Sequence, residues 1–203
     1  MKKIAFIAFL AVVCAASGRA QESRQDISLS GNVLIQPYRN SSTDVQASAQ
    51  RGFGALLSYR FVLTPSSALE ANYGITYQYK MRYIFSNTND VHINNRTQEI
   101  SFAYVHSFNF RKFNPFVEAG PGVAIFLPVR DQETDCLDCK QQNEIGGMYG
   151  AGIAYEISPS FDIRAEYRGF ITKVPTFDLT SPNIDTKRWY NIYIPTVGVA
   201  YHF

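Results

Sequence analysis

Cys136-Leu-Asp-Cys139, the adjacent pair His106-Ser107, and the glutamates at 118 and 166 are the residues whose types could do chemistry. Two thiols three positions apart can form a local disulfide, exchange disulfides, or help to bind a metal. A zinc site wants four ligands, and two thiols alone make a poor one. Redox catalysis wants such a pair at the start of a helix, and no helical periodicity surrounds this one. A local disulfide between Cys136 and Cys139, in an oxidising compartment, is the expectation that remains. His106 and Ser107 are neighbours in an extended segment, so their side chains leave the chain on opposite faces and cannot pair as base and nucleophile. Glu118 and Glu166 read better as ion-pair partners of Arg164 and Arg168 than as an acid–base couple. No catalytic, cofactor-binding or metal-binding residue is assigned. The formal charge of +2 and the lack of a glycine-rich phosphate loop give no support to a nucleic-acid partner.

The elements that must position these residues are strands. Apolar and polar residues alternate from Ile27: Ile27, Leu29, Val33 and Ile35 against Ser28, Ser30, Asn32 and Gln36. A second strand, about 51–62, sets Phe53, Ala55, Leu57, Tyr59 and Phe61 on one face. The third is clearest, with Leu69, Ala71, Tyr73, Ile75, Tyr77, Tyr79 and Met81 opposite Glu70, Asn72, Gly74, Thr76, Gln78 and Lys80. Five more follow at about 96–108, 115–127, 146–157, 161–171 and 189–203. The charges Arg60, Glu70, Lys80, Glu99, Glu118, Glu156, Asp162, Arg164, Glu166 and Arg168 all fall on the polar register. His106 is the one clearly ionisable side chain on the apolar register.

Alternation alone does not separate a soluble sandwich from a barrel in lipid. Strand length, loop asymmetry and the two chain ends do. Strands of about 11–14 residues exceed the soluble average and suit tilted crossings of a hydrocarbon layer. Connections alternate between short (63–66, 109–114, 158–160) and long and polar (39–50, 82–95, 128–145, 172–188). Residues 1–20 read as a secretory leader, with Lys2 and Lys3, an apolar run from Ile4 to Val13, and small residues before Gln21. Losing Lys2, Lys3 and Arg19 with it would take the formal charge from +2 to −1. Residues 21–203 form one domain. The expected fold is all-β: an eight-stranded antiparallel transmembrane up-and-down β-barrel. Its interior should be filled by crossed ion pairs, since eight strands leave little room for a channel. Pro121 and Pro195 stand against it, each removing a ladder donor within a predicted strand.

The chain resembles the small outer-membrane β-barrel family that includes the OmpA transmembrane domain and OmpX. The resemblance rests on Pro115-Phe-Val-Glu-Ala-Gly-Pro-Gly-Val, on Phe161-Asp-Ile-Arg-Ala-Glu-Tyr-Arg, and on the terminal Thr196-x-Gly198-x-x-Tyr201-x-Phe203. It implies a place in the outer membrane, crossed many times, with long loops extracellular and termini periplasmic. It also implies that Thr196, Gly198, Tyr201 and Phe203 form a signal read by the outer-membrane assembly machinery. Basic residues collect near the outer strand ends: Arg39, Arg51, Arg82, Arg96, Arg130, Lys173, Lys187 and Arg188. They could bind lipopolysaccharide phosphates through charge-assisted bonds, or snorkel at the interface as solvating charges. Tyr38, Tyr79, Tyr83 and Trp189 on the outer side, with Phe61, Phe108, Phe161 and Phe203 on the inner, would make two aromatic girdles.

The functional expectation is a non-enzymatic, monomeric barrel that supports envelope integrity or offers its loops to an extracellular ligand or host surface. A lipid A deacylase-like enzyme, a narrow pore or hydrophobic-solute conduit, and a soluble lipocalin-like barrel are the competing readings. Eight-stranded deacylases carry a histidine and a serine two apart on the lipid-facing surface, a spacing this chain lacks.

Overall fold

In a computed structural model, ten strands are hydrogen-bonded into one sheet that closes on itself. The structure describes residues 24–35, 39–42, 45–49, 51–85, 90–129, 140–175 and 189–203. They form no helix, so none is available to cross a membrane. The strands are β1 (Gln25–Leu34), β2 (Arg39–Ser42), β3 (Val45–Ala49), β4 (Gly52–Thr64), β5 (Ser67–Phe85) and β6 (Asp90–Ser107). Then come β7 (Phe113–Pro128), β8 (Gln142–Ser158), β9 (Phe161–Lys173) and β10 (Trp189–His202).

Eight of them make the wall. β1 pairs antiparallel with both β4 and β10, and β4 to β10 follow in chain order, each antiparallel to the next. Closure leaves the eight-stranded wall no edge, so each wall strand finds backbone partners on both sides, the condition for crossing hydrocarbon. The expected eight-stranded up-and-down barrel is the observed wall.

Two stretches expected as polar loops are instead strands. Residues 39–42 and 45–49 are the paired strands β2 and β3, the second of which joins β5 through Val45–Phe85 to Ala49–Met81. Residues 82–84 and 90–95 continue the β5–β6 ladder out to Ile84–Asp90. Beyond the bilayer no lipid imposes an apolar face, so backbone pairing extends a strand whose side chains no longer alternate.

The two faces divide as the alternation predicts. Leu29, Phe102 and Val197 are more than 60% exposed, whereas Ser101 and Arg168 are at most 1% exposed. An outer belt of Ile, Leu, Val, Tyr and Phe of this extent far exceeds the apolar patches a soluble monomer carries. Pro121 and Pro195 both sit on this outer face, and each interrupts one ladder only. The β1–β10 pairing stops at Asn32–Thr196 and resumes at Ile35–Tyr193. The β6–β7 pairing skips from Ser101–Gly122 to Tyr104–Ala119. Their other neighbours remain paired, through Pro121–Gly147 and Pro195–Tyr167.

Candidate functional site: the barrel interior and its rims

Inward-facing positions of β1, β4, β9 and β10 bring a charged cluster to the short-turn end. Arg164 Nη2 donates to Asp26 Oδ2 at 2.8 Å. His202 Nε2 lies 2.8 Å from Asp162 Oδ2, and its Nδ1 lies 3.8 Å from Asp26 Oδ2. Arg60 Nε donates to Glu70 Oε2 at 2.6 Å, with its guanidinium 4.8 Å from the Phe116 ring centroid. A cavity of about 120 Å³ opens here, lined among others by Asp26, Asp162, Arg164, Ser107 and His202.

At mid-barrel Arg168 spans three strands. Its Nη2 donates to Glu99 Oε1 at 2.9 Å and to Ser101 Oγ at 3.3 Å, and its Nε to Glu118 Oε1 at 3.2 Å. Ser101 Oγ in turn donates to Glu99 Oε1 at 2.9 Å. Thr196 Oγ1 donates to Glu166 Oε1 at 2.8 Å. Gly150 makes room for this layer, since a β-carbon there would stand 2.6 Å from Glu118 Oε1. Removing such charges from water is costly unless they meet, and here they meet.

Above this layer, towards the long loops, the interior sets a group of large apolar side chains among the buried polar Asn32, Thr76, Asn95, Thr97 and Thr172. Leu34, Leu56, Phe126, Met148, Phe170, Ile192 and Ile194 are all buried and inward. A second cavity, of about 20 Å³, lies among Leu34, Glu99, Phe170, Ile192 and Ile194, with room for about one water. The two cavities share no lining residue, and Glu118 and Arg168 line neither.

The expected crossed ion pairs are present, with two partners changed. Arg164 bonds to Asp26 of the first strand rather than to a glutamate. Glu166 accepts from Thr196 of the neighbouring strand. Strand tilt and closure bring the ends of the chain together at a level that linear spacing does not reveal. Sequence reasoning missed His202 as the link between Asp26 and Asp162, and it missed the apolar group of the upper interior. The sequence carries the signal for the latter in Leu56, Phe126, Phe170, Ile192 and Ile194, which stand on the otherwise polar register.

The terminal segment lies at the closing seam. Thr196 is buried, and Tyr201 packs on Phe161 and Phe203 with centroids 5.1 and 6.1 Å apart. Phe203 donates its N–H to the Gln25 carbonyl at 3.0 Å. A β-carbon at Gly198 would collide with the Leu29 carbonyl and Ser30 Oγ.

The structure brings only part of the basic set into view. Arg51 is exposed, Arg96 is half-buried, and the Lys173 ammonium stands 5.7 Å from the Trp189 ring centroid. The backbones of Arg39 and Arg82 belong to β2 and β5. Arg130, Lys187 and Arg188 lie outside the described residues, as do Cys136, Cys139, Tyr38 and the expected leader, 1–20. The backbones of Tyr79 and Tyr83 belong to β5, and Phe61, Phe108, Phe161 and Trp189 are exposed at the two rims. His106 packs edge-on to Phe108, at 4.9 Å and 87°, while Ser107 lines the inner cavity. The two residues part as expected.

Residues 5–203 match the family described as the outer membrane protein beta-barrel domain. The chain belongs to that family. It is an outer-membrane protein, and its neighbours among solved structures share the fold at low identity. Pseudomonas aeruginosa OprG aligns over 90% of this chain and 97% of its own, with a TM-score of 0.63 and 9% identity. Neisserial surface protein A aligns over 87% and 97%, with a TM-score of 0.56 and 12% identity. Ail, the attachment invasion locus protein of Yersinia pestis, aligns over 90% and 100%, with a TM-score of 0.50 and 15% identity. Among curated proteins none matches the chain in sequence.

Proposed function

We propose that this barrel is a non-conducting, non-enzymatic envelope protein that works through its long-loop end, by surface contact or by anchoring the outer leaflet. In this reading the long loops face the exterior and the termini the periplasm. The observation that carries it is Arg168, whose fork to Glu99 and Glu118 fills the middle of the interior. A pore would need that space to hold water. The name of the neighbour Ail, attachment invasion locus, points the same way for the surface role. Lipopolysaccharide phosphates are the proposed outer partner of Arg51, Arg96 and Lys173, by charge-assisted bonds. Planar-bilayer recording tests the reading: purified barrels should give no stable conductance, and a reproducible open channel would overturn it.

One observation favours a second reading. The apolar group Phe126, Phe170, Ile192 and Ile194 in the upper interior would suit a small apolar solute entering from the long-loop end. Saturable quenching of an apolar fluorophore, lost in Ile192→Asp but not in a lipid-facing variant, would support it.

A further inference from the structure

The turn between β6 and β7 reads Phe108-Asn-Phe110-Arg111-Lys112-Phe113, unlike the other short turns, Pro65-Ser66 and Pro159-Ser160. Phe110 and Phe113 exchange backbone hydrogen bonds of 3.2 and 2.8 Å, which leaves Arg111 and Lys112 as the tip. Arg111 has φ of 50° and is the one non-glycine residue with positive φ among those described. A two-residue hairpin loop with positive φ at its first position ordinarily takes glycine. Here the backbone accepts strain while a guanidinium is displayed, with exposed Phe108, Phe110 and Phe113 around it.

The same hairpin borders an open apolar groove of about 470 Å³ on the outer face. Ala71, Ala119 and Pro121 form its floor, and Phe61, Phe102 and Tyr104 its walls. Small side chains in a face otherwise built of large ones, beside the interrupted β6–β7 ladder, give it depth. Towards the rim, the Tyr104 hydroxyl shares a 2.8 Å hydrogen bond with Ser67 Oγ. From Phe110 to Phe102 is eight residues; at about 3.3 Å each, tilted about 40°, they cover roughly 20 Å of depth. That is the span of one leaflet from headgroup to midplane, half of roughly 40–45 Å.

We propose that the β6–β7 hairpin holds one phospholipid with an anionic headgroup, its phosphate at Arg111 and Lys112 and one acyl chain in the groove. Two cations at the tip complement an anionic headgroup, and the groove is continuous with the hydrocarbon the barrel already faces.

Native mass spectrometry of the detergent-solubilised barrel, with equal phosphatidylglycerol and phosphatidylcholine added, tests this. The intact protein should keep one phosphatidylglycerol, favoured about tenfold over phosphatidylcholine, as two cations near an anionic group allow. Arg111→Ser with Lys112→Ser should bring that ratio to about one. Ala119→Phe, or Ala71→Leu if the first fails to fold, should abolish retention of both lipids. Lys140→Ser, at the opposite rim, should keep the original ratio, and heat-modifiable gel migration verifies closure of each variant. Equal retention of the two lipids by the unaltered barrel would overturn the proposal. So would an unchanged ratio in the doubly substituted tip, or a lipid-free pair of chains that Ala119→Phe separates.

Discussion

Arg168 and Glu99 meet across the barrel interior at 2.9 Å although 69 residues separate them in the chain. Their strands, β9 and β6, are not neighbours in the wall. The contact therefore requires a sheet curled far enough to bring β6 and β9 across the interior, and it ties that curvature to the chemistry of the interior. Ser101 and Glu118 complete the group, so the guanidinium is desolvated but not isolated.

Replacing Arg168 by Met should destabilise the barrel by about 3–5 kcal/mol, because Glu99 and Glu118 stay buried without their cation. Adding Glu99→Gln and Glu118→Gln to Arg168→Met should recover much of that loss. Urea-induced unfolding in detergent micelles measures both. A single variant as stable as the parent would mean that the ion pairs do not set the interior.

The lipid-facing assignment predicts a dependence on depth. Ile100, on the outer face of β6 near mid-strand, should cost about 2–4 kcal/mol when replaced by Arg. Ile163, three positions from the Pro159-Ser160 turn, should cost about 0–1 kcal/mol for the same change. Refolding titrations into phosphatidylcholine vesicles compare the two. Equal and negligible losses would place both residues in water.

The rows of outward residues were legible in the sequence because hydrocarbon demands period 2 wherever a strand crosses it. Tyr73, Ile75 and Tyr77 on one side, with Asn72, Gly74 and Thr76 on the other, could face only one way. The β2–β3 hairpin and the outer ends of β5 and β6, 82–85 and 90–95, were not legible, because no apolar face is required beyond the bilayer. Arg39-Asn-Ser-Ser reads as loop on composition, and only pairing with neighbours makes it a strand. Interior charges were legible as a set but not as pairs. The Asp26–Arg164 bond joins residues 138 apart, which only closure and tilt bring to one level. The apolar group of the upper interior escaped notice because the charges on the polar register were weighed, whereas Phe170 and Ile192, which share it, were not.

Gly198 faces the seam between the first and last strands, opposite Ser30. A valine there would drive its side chain into the Leu29 carbonyl and Ser30 Oγ, so β10 could not approach β1. Gly198→Ala should cost about 1–3 kcal/mol as overpacking, and Gly198→Val should block closure. The fraction showing heat-modifiable gel migration measures this. Full closure of the valine variant would show that the terminal segment matters to assembly for reasons other than fit.

Pro195 gives a finer test of the ladder. Ile35 and Tyr193 exchange backbone hydrogen bonds at 2.7 and 2.9 Å, and two positions further along the seam Pro195 has no N–H for Val33 to receive. Pro195→Val restores that donor within an already extended strand. One backbone hydrogen bond adds about 0.5–1.5 kcal/mol, and the loss of proline's restriction on the unfolded chain removes about 0.4–1 kcal/mol. The two terms nearly cancel, so global stability should change little. Local protection should not cancel, because amide exchange at the seam reports opening of the β1–β10 ladder itself. Slower hydrogen–deuterium exchange at Ile35 and Tyr193 in the valine variant is the expected outcome. Unchanged exchange there would mean that the missing donor is not what interrupts the pairing.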